Sequence, residues 1–180
     1  QYYRDEQSIA EIARFATESG RVDLTGRIYE TAIENNFNLA VFGLLFIEAH
    51  LTAGEFSQGV GFCDELIKEG PAWLSDFESV VASMQAIAYF GLDNPELGDL
   101  YLQQFLEAPR TNIERLRSVA DRFREIGQLE PAHRLLREAL NRDPNNELIL
   151  SASIEVELAL EDSLSLASHV SRLIEVRRPR

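Results

Sequence analysis

The chain has 180 residues, 45% hydrophobic and 26% charged, with only 6 prolines and 10 glycines, a composition that buries a core and excludes a disordered chain. A formal net charge of −13 repels phosphate backbones and anionic lipid, so no nucleic-acid partner is expected. The lone cysteine, Cys63, excludes an intrachain disulfide and a thiolate-rich metal site, and the longest apolar run, Leu39 to Ile47, is nine residues where a bilayer span needs about twenty, so this segment is not expected to contact a membrane.

In chain order, the first apolar series (Ile9, Ile12, Ala13, Ala16) recurs at three- and four-residue spacing, stops at Gly20, and resumes with Val22, Ile28, Tyr29, Ala32 and Ile33. That spacing predicts two amphipathic helices joined by a glycine turn. Gly54, in "TAGEFSQ", lies 34 residues after Gly20, in "ESGRVDL", and repeats the arrangement. A third turn falls at Gly91 to Asn94, where Pro95 suits the first position of a helix. The helix before it looks long, and Ser75–Glu78 fits the capping box that would start it. Thr111–Glu114 fits the same box for a fourth pair turning at Gly127, and "DPNNE" at 143–147 opens a fifth that turns at Glu161 and Asp162. Five pairs, at about 5–36, 38–69, 73–108, 111–142 and 146–176, cover a single repeat domain over 1–180. No run alternates as a strand does. The chain opens at Gln1, without an initiator methionine, and reads as a piece of a longer protein.

The clearest unit is "LRSVADRFREIGQLEPAHRLLREALNRDP", Leu116 to Pro144. It resembles the tetratricopeptide repeat (TPR): Leu116, Val119, Ala120 and Phe123 stand at the first-helix packing positions and Gly127 at the turn. Leu129, Ala132, Leu136, Ala139 and Leu140 stand in the second helix, and Pro144 closes the unit. The resemblance implies an all-α fold, a right-handed superhelical α-solenoid of about five antiparallel helix pairs, in which each pair buries its apolar face against its neighbours.

Chemistry finds few candidates. His50, His133 and His169 have no metal-ligand spacing. His50 falls at an aromatic packing position and is read as a core histidine, whereas His133 and His169 look exposed. Cys63 coincides with a second-helix core position and reads as a small hydrophobe. Gly59 and Gly61, inside a helical pattern and without a preceding strand or a lysine, read as close-packing residues and not as a phosphate loop. Paired acids such as Glu161–Asp162, Asp64–Glu65 and Glu155–Glu157 read as solvated helix surface. No catalytic, cofactor or metal residue is assigned, and an enzyme is not expected.

The resemblance implies that first helices line a concave groove that takes peptides or partner helices. Projected onto this chain, the groove holds Val41, Leu44, Glu48 and Leu51 in the second pair. The third pair supplies Ser83, Met84, Ile87 and Phe90, and the fourth Arg117, Asp121 and Arg124. An apolar middle beside arginines suits a peptide with hydrophobic anchors and an acidic group; the alternative is that these apolar residues pack inside the array. The chaperone-binding members of the family grip a C-terminal carboxylate with lysine and asparagine. Here those places hold Ala10 and Arg14 in the first pair and Arg117 and Asp121 in the fourth, so a heat-shock co-chaperone is not expected.

Charge divides the chain. Residues 1–100 carry 5 basic and 17 acidic side chains (−12), and 101–180 carry 12 and 13 (−1). Eight arginines between Arg110 and Arg142 suit an acidic partner, the acidic half of a second copy, or intrahelical pairs such as Glu138–Arg142. The terminal "VRRPR" reads as a linker or frayed end. The functional expectation is a scaffold that binds a protein or peptide as a module of a larger protein. The alternative is a self-associating structural element of a multiprotein envelope or secretion assembly. The compartment stays open: cytoplasmic for a soluble parent, extracytoplasmic if a signal or anchor precedes Gln1.

Overall fold

The structure, a computed structural model, describes residues 5–109 and 111–178. Arg110, the first of the arginine cluster, and the last two residues of "VRRPR" lie outside the described residues. The chain divides into two compact units, Gln1–Ala108 and Pro109–Arg180. The first contains α1 (Glu6–Glu18), α2 (Val22–Glu34), α3 (Leu39–Thr52), α4 (Phe56–Glu69), α5 (Leu74–Gly91) and α6 (Pro95–Glu107). The second contains α7 (Ile113–Glu125), α8 (Leu129–Arg142), α9 (Glu147–Ala159) and α10 (Ser163–Arg177). No strand occurs among the described residues.

Each pair is closed by the same backbone device. The N–H of Arg21, Glu55, Asn94, Gln128 and Asp162 donates to the carbonyl of Ala16, His50, Tyr89, Phe123 and Glu157 respectively, at 2.8 to 3.0 Å. This is the long bond of a Schellman C-cap, and it requires a left-handed residue just before the donor. That residue is Gly20, Gly54, Asp93, Gly127 or Glu161, with φ between 54° and 75°. Gly127 adopts this conformation without the Cβ clash that Asp93 and Glu161 must bear. In the third pair the turn residue is therefore Asp93, and Gly91 closes α5 instead.

Helix starts follow side-chain caps. Asp5, Asn38, Asn94, Asn112, Asn146 and Asp162 each accept a backbone N–H from the first turn. Two expected boxes do not form. Ser75 lies inside α5, which starts on Trp73 with no side-chain cap, and its hydroxyl donates to the Ala72 carbonyl. Thr111 yields to Asn112, whose side chain reaches the Arg115 N–H at 2.9 Å. Thr111 is buried, and its carbonyl accepts from the Arg142 guanidinium, tying the start of α7 to the end of α8.

The cores follow small-against-large packing. Ala120 and Ala132 are fully buried and let α7 and α8 approach, with Leu116, Phe123, Leu135 and Leu136 filling the space beside them. In the first unit the rings of Tyr29, Phe46 and Phe62 pack with centroids 5.0 to 5.9 Å apart, and His50 lies against Phe46 at 4.7 Å. A Cβ on Gly59 would stand 3.2 Å from a Leu51 side-chain carbon, so this glycine serves close packing, but a Cβ on Gly61 would meet nothing within 4 Å.

Candidate interaction surfaces

In the first unit α1, α3 and α5, the first helices of three successive pairs, share an open pocket of about 240 Å³ lined by Arg14, Val41, Leu44, Leu45, Glu48, Phe77 and Met84. Its walls are held from below. The Thr17 hydroxyl of α1 donates to the Leu45 carbonyl of α3 at 3.1 Å, and Trp73 packs edge-on to Phe77 at 6.0 Å. The floor is apolar, with Arg14 and Glu48 supplying one charge of each sign.

The expected inner stripe divides here. Leu44 and Glu48 are half-buried and reach the pocket, whereas Leu51, Ser83, Ile87 and Phe90 are buried in the core of the unit. The reason is the surroundings of α5, which packs against α3, α4 and α6 at once; ten of its residues are buried. Phe77, four residues after Trp73, and Leu45 escaped the sequence reading, although an i, i+4 aromatic pair at a helix start was the available signal.

In the second unit Arg117, Asp121 and Arg124 lie half-buried on one face of α7. Asp121 and Arg124 line a cavity of about 580 Å³ with Glu125, Leu129, Glu155, Val156 and Ala159. Arg117 lines a separate one of about 290 Å³ near Asn146 and Leu148. Arg124 already donates to Asp121 at 3.0 Å and to Glu155 of α9, and Arg117 stands 3.9 Å from Asp121. An incoming carboxylate would compete with these internal acids. Glu138 and Arg142 form the expected pair at 2.9 Å.

His133 and His169 are not surface residues. Both are mostly buried, and both approach Glu157, whose side chain has no exposed area. Cys63 is buried, and burial, with the nearby Asp64 carboxylate, pushes its thiol up to about 12. Among the described residues no group of three His, Cys, Asp or Glu is placed to hold a metal ion, and no helix is long and apolar enough to cross a membrane.

Comparison with solved structures settles the fold. The MamA RS-1 ArsTM double mutant superposes with a TM-score of 0.56 over 96% of this chain and 94% of its own, at 14% identity. YrrB, described as a TPR protein with an unusual peptide-binding site, gives 0.51 over 96% and 87%, at 13% identity. MamA MSR-1 gives 0.51 over 93% and 94%, at 15% identity. The fold is tetratricopeptide-like. No protein-family model matches the chain, and no curated protein matches it. The likeness thus rests on helix arrangement, and the TPR-like turns are the five Schellman locks described above.

Proposed function

We propose that the chain is a protein-interaction scaffold without catalytic activity, and that the pocket shared by α1, α3 and α5 receives an apolar anchor of a peptide or partner helix. The observation that carries this reading is the pocket itself: three successive first helices, the TPR-like groove-lining elements, converge on an apolar hollow rimmed by Arg14 and Glu48. A side chain the size of leucine or phenylalanine fills such a hollow, and the two rim charges favour a peptide carrying one carboxylate and one cation beside that anchor. The fourth pair contributes less, because its arginines are engaged internally.

The test is a peptide-display selection on the folded chain, followed by affinity measurement of the enriched peptide. Enriched sequences should share a large apolar anchor, and Leu44→Glu should weaken binding about tenfold or more while the helical signal is unchanged. Affinity indifferent to Leu44→Glu and to Arg14→Glu sinks the reading.

A further inference from the structure

Besides the pocket it shares with α1 and α3, α5 forms the floor of another open hollow, of about 370 Å³, whose walls come from α4 and α6. All three helices belong to the first unit, and further helices flank them on both sides in the chain. The floor is Leu74, Val81 and Ala82 of α5, and the walls are Ile67 of α4 and Tyr101 of α6. Val81 and Ala82 are buried, whereas Ile67 is 46% exposed. Tyr101 is held in place by parallel stacking on Tyr89, with ring centroids 5.4 Å apart.

The polar side of this hollow is built to accept. Gln85 lines it, is 2% exposed, and donates its amide nitrogen to the Asp64 carboxylate of α4 at 3.3 Å. An ionised carboxylate only accepts, so this bond fixes which way the amide points. The amide oxygen accepts no hydrogen bond among the described residues, which leaves a nearly buried acceptor for a donor that enters. Glu78, exposed, is the charged residue that lines the hollow. Helices α4, α5 and α6 together carry eight acidic side chains and one basic, Lys68, which is not among the lining residues.

We propose that this hollow receives an arginine from a basic segment of another protein, at a site independent of the pocket shared by α1, α3 and α5. The aliphatic stem of the arginine lies along Ile67, Leu74 and Tyr101, and its guanidinium meets the Gln85 oxygen and the Glu78 carboxylate. A guanidinium also stacks on a tyrosine face, which the more strongly hydrated ammonium of lysine does less well. Charge complementarity selects the occupant. An acidic segment would be repelled by α4 to α6, and a wholly apolar one would cover the Gln85 oxygen without giving it a partner. A second copy of this chain, itself at −13, is the poorer source of the arginine.

The experiment is a fluorescence-anisotropy titration of the folded chain with three labelled peptides, each of about ten residues, that alternate serine with arginine, lysine or citrulline. Wild type should bind the arginine peptide most tightly, the lysine peptide less and the uncharged citrulline peptide least. Ile67→Ser, which changes no charge at an exposed position, should weaken the arginine peptide about threefold or more. Glu78→Lys should weaken it about tenfold, and Glu175→Lys, the same change of net charge on α10, should weaken it less. The helical signal of each variant checks that it folds. Leu44→Glu should bind no more weakly than wild type, which separates this site from the pocket shared by α1, α3 and α5. Affinity indifferent to Ile67→Ser, or equal losses from Glu78→Lys and Glu175→Lys, would mean attraction by net charge alone and overturn the proposal. Equal binding of the arginine and citrulline peptides overturns it too. A wild type that self-associates in sedimentation velocity, with Glu78→Lys restoring single chains, assigns the hollow to a second copy and overturns it equally.

Discussion

Nδ1 of His169 lies 2.7 Å from Oε1 of Glu157, a carboxylate with no exposed surface. Nε2 of His133 approaches the same oxygen at 3.5 Å, so one buried atom of α9 meets side chains from α8 and α10. The second oxygen, Oε2, has no hydrogen-bond partner among the described residues. Burying a carboxylate is tolerated only where hydrogen bonds replace water.

Removing the nearer histidine should therefore be costly. His169→Leu should lower stability in urea denaturation by about 2 to 3 kcal/mol, since it leaves the carboxylate without its short bond. Glu157→Leu on top of His169→Leu should recover part of that loss, because it removes the orphaned group itself. A His169→Leu protein as stable as wild type would show that the bond contributes nothing.

Glu161 should be improved by glycine. Its φ of 59° places a β-carbon where L residues incur roughly 1 to 2 kcal/mol. Glu161→Gly should raise stability by about 1 kcal/mol, after the entropy glycine adds to the unfolded chain. The same change at Asp93 should gain less, because aspartate tolerates this region better. Thermal unfolding of the two variants beside wild type decides it.

These positions also show what could be read without coordinates. Gly20, Gly54 and Gly127 announced their turns because glycine is the cheapest left-handed residue, whereas Asp93 and Glu161 hold the same conformation without that signature, inside the expected turns at Gly91 to Asn94 and at Glu161 and Asp162. The TPR-like resemblance located first helices, but not which of their faces stays open. In α5 apolar residues occur on all sides, so periodicity does not separate the inner face from the core, and Ile87 and Phe90 prove buried while Phe77 reaches the pocket. His50 is the core histidine expected, whereas His133 and His169, read as exposed, were misplaced for a related reason. Their partner is a carboxylate on another helix, 24 and 12 residues away, and local spacing carries no trace of it.

Asp162 caps α10 and should give that end a pH dependence. Hydrogen bonds from Ser165, side chain first and then backbone, hold its carboxyl below the ordinary 3.8. A depressed folded value means the stabilisation is present above the unfolded pKa and is lost as pH falls through the lower folded one. Asp162→Asn keeps a capping oxygen but does not titrate. Melting temperatures followed from neutral pH to about pH 3 should show wild type losing its advantage over Asp162→Asn only below about pH 4. A constant difference across the range would rule out the cap as the titrating feature.

Cys63 should resist thiol reagents until the unit opens. With the thiol raised from 9.0 to about 12, its thiolate fraction near neutral pH is about a thousandfold below that of an ordinary cysteine, and burial blocks access as well. Reaction with an aromatic disulfide reagent should be slow in buffer and fast in denaturant. Rapid modification of the native chain would mean that α4 opens readily.

Two helical glycines should respond to alanine with opposite signs. A Cβ on Gly98 of α6 would stand 2.6 Å from the ring of Phe90, itself buried on α5, so either the ring or the helix must shift. Overpacking of this kind costs about 1 to 3 kcal/mol, more than the 0.5 to 1 kcal/mol or so that alanine gains over glycine in a helix. Gly98→Ala should therefore destabilise by about 1 kcal/mol or more. Gly61 of α4 is exposed and would meet nothing within 4 Å, so only the propensity gain remains. Gly61→Ala should stabilise by roughly 0.5 to 1 kcal/mol. Urea midpoints of the two variants measured side by side check both signs, and a Gly98→Ala protein more stable than wild type would mean that Phe90 gives way at no cost.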